Sequence, residues 1–246
     1  MIELKNVSKS FGSNSVLKSL NLKVCKGENL TIIGQSGSGK SVLIKHIIGL
    51  LKPDAGEIFI DGIEITTLKE KKLFKFIEKF GMVFQGGALF DSLTVGENIA
   101  FGIREKKDKH EINRIVNESL DNVGLPGISD LMPSELSGGM KKRVSIARAI
   151  AKKPKIIMYD EPTTGLDPIM ADVINELVIK VGEMPGITSI IITHDMVSAY
   201  KVSKRIAVLY DGKIIETGLP EDIKNTKNEI VRQFIEGRSE GPIKLR

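Results

Sequence analysis

The chain contains no tryptophan, a single cysteine, and aromatic residues at only 5 % of its 246 positions. One cysteine, Cys25, cannot form an internal disulfide, which excludes a disulfide-stapled scaffold and agrees with a reducing compartment. Cys25 itself reads as a small apolar filler. Without aromatics interleaved among basic residues there is no platform for stacking bases, so nucleic acid is not an expected partner. No apolar run reaches the roughly 18 residues of a membrane span, and no secretory leader opens the chain. The chain is therefore expected neither to span a membrane nor to cross one. Internal repeats and low-complexity stretches are absent too.

What is present points to nucleotide chemistry. The length suits one large domain, or a domain with a subdomain. Glycine and β-branched residues alternate with helix-like stretches, as a parallel α/β sheet requires. Gly34-Gln35-Ser36-Gly37-Ser38-Gly39-Lys40-Ser41 fits the phosphate-loop pattern at every position. Before it, Glu28 to Ile33 reads as a buried strand. After it, Val42, Leu43, Ile44, Ile47 and Ile48 recur at helical spacing. Gly34, Gly37 and Gly39 free the backbone to aim successive N–H groups at an anion, and the following helix adds its positive end. In this pattern the Lys40 ammonium reaches the β- and γ-phosphates, and the Ser41 hydroxyl ligates Mg²⁺.

A second segment supplies carboxylates. Lys155 to Tyr159 is an apolar run of strand length that ends in Asp160-Glu161. Such a pair at the end of a buried strand is costly unless it faces an ion or ligand, and in open α/β sheets ligands bind at that end. Asp160 would hold Mg²⁺ through water, and Glu161 would polarise the attacking water. Between the two segments lies Leu136-Ser137-Gly138-Gly139-Met140, ahead of an amphipathic stretch from Met140 to Ile150. Its apolar positions are Val144, Ile146, Ala147 and Ile150; Lys141, Lys142, Arg143 and Arg148 read as its polar side. Ser137 is a good helix N-cap, and the glycines leave backbone N–H groups open to an anion.

With these segments in this order, the chain resembles the nucleotide-binding subunits of ABC transporters along nearly its whole length. Leu136–Met140 matches the family signature, with Met140 where glutamine is usual. The resemblance implies further roles. Gln85 matches the glutamine that links the metal site to the transporter interface, and Thr164-Gly165-Leu166-Asp167 the loop that touches the partner subunit, with Asp167 as the contact. His194 matches the switch histidine, and Phe11 the aromatic residue that stacks on adenine. Gln85 would also be an Mg²⁺ ligand, and Glu161, His194 and Gln85 the catalytic set. Ser137, Gly138 and Gly139 would bind the γ-phosphate held by the opposite subunit. The implied unit is a head-to-tail homodimer with two ATP molecules between subunits.

The implied fold is α/β: a RecA-like phosphate-loop core, an N-terminal antiparallel β subdomain and a helical subdomain carrying the signature. The core would comprise about 1–87 and 154–236, the helical subdomain about 88–153, and a tail 237–246 outside the core. The local pattern agrees with a helical insertion. Glu111 to Val123 places Ile112, Ile115, Val116, Leu120 and Val123 on one side, and Pro126, Gly127 and Pro133 then break the chain.

Gln85 to Val95, Leu131 to Met140, and Gln233 to Pro242 resemble ATPases of Mla/Mce-type lipid-transport systems. That resemblance implies an integral membrane permease as partner, with an Mce-type lipid-binding protein and a small accessory subunit. The location would be peripheral, on the cytoplasmic face of the inner membrane. In that group the tail is an arm onto the neighbouring subunit. Ala88, Leu89 and Phe90, after the joint Gly86-Gly87, would receive a short helix of the permease. The alternative is an importer ATPase for a polar solute such as an amino acid, which would share every catalytic motif. The net charge is +5, concentrated in Lys69 to Lys79 and Arg104 to Lys109. The first stretch reads as a solvated helix face, or as contact with acidic lipid head groups.

Overall fold

The computed structural model describes residues 1–105 and 107–243. Lys106, in the basic stretch noted above, and the tail residues Lys244, Leu245 and Arg246 lie outside the described residues. The chain divides into two compact units, Met1–Ile77 with Ile190–Arg246, and Glu78–Ser189.

The first unit begins with β1 (Ile2–Phe11) and β2 (Asn14–Val24), antiparallel, with Ile2 opposite Val24 and Phe11 opposite Asn14. Ile2, Leu4 and Val7 are buried, and so are Leu20, Leu22 and Val24 across the ladder. This alternation is what fixes the register of a sheet with one face in the core. Next come β3 (Asn29–Ile33), buried at every position, and α1 (Lys40–Ile47), which buries Leu43, Ile44 and Ile47. β4 (Ala55–Ile60) pairs antiparallel with β1, and β5 (Ile63–Glu64) with β4, giving the order β2-β1-β4-β5. Gly56 is required here: a Cβ would lie 2.4 Å from the Asn6 carbonyl oxygen, and its φ is +90°. α2 (Glu70–Ile77) closes this segment with no fully buried residue.

The second unit runs through β6 (Phe80–Val83), α3 (Val95–Ala100), α4 (Lys109–Asn122), α5 (Gly138–Ala151), β7 (Ile156–Asp160) and α6 (Pro168–Gly182). β6 and β7 are parallel, from Phe80 opposite Ile156 to Val83 opposite Tyr159. Ile156 through Tyr159 are fully buried, each worth roughly 1.5–3 kcal/mol of apolar burial. α3, α4 and α5 pack on one another, and α5 also lies against β6 and α6. α4 starts two residues earlier than the apolar spacing alone places it, because the Asp108 side chain caps it by accepting from the Glu111 N–H at 2.9 Å.

β8 (Thr188–Thr193) carries the chain back into the first unit. There follow α7 (Met196–Val202), β9 (Arg205–Tyr210), β10 (Lys213–Gly218), α8 (Pro220–Lys224) and α9 (Glu229–Glu236). β9 pairs parallel with β3 and antiparallel with β10. Ile33, Ala199, Ile206, Val208, Ile223 and Val231 form the core here. The fold is α/β, with an antiparallel sheet, mixed-sheet strands and a helical cluster around α5.

Two details differ from the sequence reading. Cys25 is exposed rather than buried filler, because it sits in a turn where its N–H donates to Glu28 Oε2 at 2.7 Å. The tail is not wholly outside the core. Ile243 is buried, its N–H donating to Gln233 Oε1 at 2.6 Å while Gln233 Nε2 donates to the Ile243 carbonyl at 3.3 Å. A side-chain amide that mimics a strand partner leaves no periodic signal in sequence.

Candidate functional site

The first unit holds the phosphate loop between β3 and α1. Gly34 has no room for a side chain: a Cβ would lie 2.3 Å from the Leu209 carbonyl oxygen. Gly37 and Gly39 have φ of +79° and +102°, the left-handed region that favours glycine. Gly39 is the N-cap of α1, and no side chain caps that helix, so its first-turn N–H groups face an anion site without competition. Lys40 is buried, and its ammonium donates to the Gly34 and Gln35 carbonyls at 2.7 and 3.0 Å, curling the loop around its own charge. The buried Ser38 hydroxyl has no hydrogen-bond partner among the described residues, an orphan that a bound phosphate oxygen would satisfy. Beside the loop lies a hollow of about 410 Å³ lined by Asn14 to Val16, Gln35 to Ser38, and Tyr210 to Gly212. The loop therefore fits a polyphosphate. Phe11, at the end of β1, is 49 % exposed with the Lys9 ammonium 5.6 Å from its ring centre; it is not a core residue. His194 is exposed directly after β8, just ahead of Asp195, whose carboxylate caps α7.

The second unit holds the carboxylates, Gln85 and the signature. Asp160 ends β7 half-buried, and Glu161 is buried with a backbone φ of +50°. A non-glycine residue in that region is strained by about 1 kcal/mol or more, and its surroundings hold it: Thr164 Oγ1 donates to Glu161 Oε2 at 3.2 Å. Gln85 is exposed just beyond β6. Ser137 caps α5, accepting from the Met140 N–H at 3.3 Å, and Gly138 and Gly139 form the first turn. Gly139 packs so closely that a Cβ would meet Met170 Cε at 2.4 Å. Asp167 caps α6, with its Oδ1 accepting from the Ile169 and Met170 N–H groups, each at 3.0 Å. No group of three or more His, Cys, Asp or Glu side chains among the described residues is arranged to hold a metal unaided. Mg²⁺ takes few protein ligands beside phosphate oxygens and water, and the Asp160 carboxylate of this unit is an oxygen ligand of the kind it accepts.

The sequence reading misplaces one residue. Lys142 was assigned to the polar side of the signature helix, yet it is only 6 % exposed. Its ammonium donates to the carbonyl of Gln85 and, at 3.3 Å, to that of Glu161. Burial lowers its pKa from the ordinary lysine value, while the nearby charges of Glu161 and Asp160 oppose that shift. The signal was available: 142 stands three, four and seven residues before the buried Ser145, Ile146 and Ala149, on one helix stripe. Arg148 acts on the same loop, donating to the Ala88 and Gly87 carbonyls at 2.6 and 2.8 Å. Just beyond, Phe84, Phe90 and Phe101 are 40 %, 43 % and 41 % exposed, and the rings of Phe90 and Phe101 lie 4.5 Å apart. The buried Asn98 pins this turn, accepting from the Phe90 N–H at 2.8 Å and donating to the carbonyls of Phe90, Leu93 and Thr94.

A phosphate loop after a buried strand, a carboxylate-ended strand and a glycine-rich helix start define an ATP-binding cassette. The chain belongs to the ABC transporter family, whose model matches residues 17–164, and it is an ATP-binding, ATP-hydrolysing subunit of that type. It is 41 % identical over 248 residues to the intermembrane phospholipid transport system ATP-binding protein MlaF of Haemophilus influenzae, covering 100 % of this chain and 94 % of that protein. It is 44 % identical over 241 residues to the methionine import ATP-binding protein MetN 1 of Bacillus cereus, covering 96 % of this chain and 70 % of that one. Among solved structures, a dimeric post-hydrolysis state of the cassette MJ0796 bound to ADP and Pi superposes with a TM-score of 0.81 at 36 % identity, covering 89 % of this chain and 99 % of that one.

Proposed function

We propose that two copies of this chain close head to tail on two ATP molecules and drive a phospholipid-transporting permease. What carries the dimer is that one chain holds two anion-ready helix starts, α1 behind the phosphate loop and α5 behind Ser137, Gly138 and Gly139. Gly34 to Ser41 cradle the phosphates, Lys40 neutralises them, Phe11 stacks on the base, and the opposite copy's Ser137, Gly138 and Gly139 N–H groups complete the cradle. Asp167 lies at the contact between copies. Ser41, Gln85 and Asp160 would hold Mg²⁺, which neutralises charge on the phosphate oxygens when bound. Glu161 takes the proton of the attacking water as its oxygen bonds the γ-phosphorus and the bond to the β,γ-bridging oxygen breaks, ADP being the leaving group; His194 and Gln85 orient that water. Loss of the γ-phosphate link reopens the dimer, so each state is populated according to how well it binds ATP.

Transport coupling falls to the segment after Gln85. Phe84, Phe90 and Phe101 offer an apolar surface at which a helix of the permease can seat. No helix among the described residues is long and apolar enough to cross a membrane; the relation to transporter ATP-binding subunits supports a peripheral place on the cytoplasmic face. The phospholipid reading rests on the MlaF relative and on the segments Gln85 to Val95 and Leu131 to Met140. The partners it calls for are the permease, an Mce-type protein and a small accessory subunit. The methionine-import relative keeps a second reading open, an importer of a polar solute. Purification from detergent-solubilised membranes, with mass spectrometry of bound proteins and lipids, decides between them. A multi-span permease arriving with an Mce-type protein and phospholipid supports the lipid reading. A permease with a soluble solute-binding protein and no enriched lipid overturns it.

A further inference from the structure

Lys142 is a buried cation that no step above uses. A lysine that leaves water must recover its lost hydration from protein acceptors, and a side chain that could have stayed exposed on a surface helix is held inside only by such acceptors. Here they are peptide carbonyls of two residues far apart in sequence, Gln85 and Glu161. Both belong to irregular backbone. Gln85 lies in the loop that leaves β6 and passes through Gly87 and Ala88, with φ of +76° and +46°. Glu161 has a φ of +50°. Neither carbonyl is placed by a regular ladder; that of Glu161 also accepts from the Thr164 N–H within its own turn at 3.3 Å, and the ammonium adds a link from both loops to α5. The same helix holds the loop again at Gly87 and Ala88 through Arg148.

We propose that Lys142 is a positioning residue for ATP hydrolysis, tying the backbone at Gln85 and Glu161 to the signature helix so that the three move as one body. The proposal rests on the assignment of Gln85 and Glu161 to the catalytic set and of Ser137 to the opposite copy's phosphate. Under it, α5 carries two functions one turn apart. Its start, at Ser137 to Gly139, receives the phosphate held by the other copy; the ammonium one turn on sets the residues that prepare water and metal for its own. Engagement of one nucleotide is thereby transmitted to the other through a single lysine. A methionine at 142 would keep the length and packing while removing the two carbonyl contacts; acceptors that lose a donor weaken the fold, so melting temperature is read beside turnover.

The test compares wild type with Lys142→Met, Lys142→Gln and Lys142→Arg, measuring ATP turnover, ATP affinity by equilibrium binding, melting temperature, the Hill coefficient for ATP, and amide exchange. Misplacing catalytic groups by up to about 1 Å costs up to about 100-fold in turnover. Lys142→Met is therefore expected to lose kcat to that extent with ATP affinity within about twofold of wild type. Its Hill coefficient should fall toward one, and amides of 85–88 and 161–164 should exchange faster. Lys142→Arg should restore most of the rate. Folded Lys142→Met or Lys142→Gln turning over within about twofold of wild type overturns the proposal. So does a loss of rate matched by equal losses of ATP affinity and melting temperature that arginine does not rescue, which marks a purely structural lysine. If Glu161→Gln retains wild-type turnover, the catalytic assignment beneath the proposal fails instead, and that outcome is read separately.

Discussion

Lys40 and Lys142 are alike in physical state and opposite in origin. Each is a buried ammonium, 8 % and 6 % exposed, donating to two backbone carbonyls. Lys40 finds its acceptors in Gly34 and Gln35, six and five residues back along the same loop. Lys142 finds them 57 and 19 residues away. The first is a local device, and its residues must therefore recur as a contiguous motif that can be read directly. The second exists only after α5 has packed beside the loop that leaves β6 and the turn that follows β7. A loop curled around its own lysine is written in order along the chain; a brace between two distant loops is not.

The comparison can be broken most sharply at Glu161. Glu161→Gln should slow phosphate release at least ~100-fold, because a general base is lost, while retaining ATP binding and accumulating as an ATP-bound dimer in size-exclusion chromatography. A mutant that turns over like wild type would remove Glu161 from the chemistry and leave its strained backbone without a functional reason. Next in size, Lys40→Ala removes charge-assisted contacts worth about 1.5–3 kcal/mol. It should weaken ATP binding by roughly 10- to 100-fold in a fluorescence titration, and affinity that survives intact would show that the local lysine is only a structural clip. Gly34→Ala forces a Cβ against a backbone oxygen at 2.3 Å. An overpacking cost of about 1–3 kcal/mol should lower the melting temperature by several degrees and distort the loop.

The smallest effect sharpens the contrast by pH. His46, on the helix that carries Lys40, is fully buried, and its Nδ1 lies 2.7 Å from the Val42 carbonyl oxygen. Burial lowers its pKa below 6.5, the charge of Lys9 acting in the same sense and that of Asp54 against it. The unfolded chain then binds a proton that the folded chain refuses, so stability should fall as pH drops below about 6.5. Melting curves of wild type and His46→Leu between pH 7.5 and 5 should diverge, the variant lacking this part of the slope. Parallel curves would show that His46 takes up its proton without opening the fold.

Much of the site was legible because its chemistry is local. Gly34 to Ser41 needs a strand, a turn and a helix in immediate succession, and glycines stand at 37 and 39, where its φ turns positive. Asp160-Glu161 was legible as a costly carboxylate pair after an apolar run. Ser137 announced α5 because a serine just ahead of an amphipathic stretch can cap its first N–H groups. Lys142 was misjudged because, among three consecutive cations, only helix phase decides which one turns inward, and the run as a whole reads as polar. Ile243 was placed outside the core for a related reason: it is held by one glutamine side chain acting as a strand edge, which has no period. The exposure of Phe11 could not be read from composition, since an aromatic residue at the end of a strand serves a core equally well.

The sequence by itself determined the order of the motifs, the α/β class, the phosphate loop and the family, because each follows from contacts within a few residues or from apolar spacing along one element. Only the tertiary structure decided which carbonyls the buried lysine of α5 meets, that Glu161 adopts a left-handed backbone, and that the loop after Gln85 is held by the signature helix. Those outcomes depend on carbonyls and side chains brought together from distant segments, and distance along the chain carries no information about them until the core has formed.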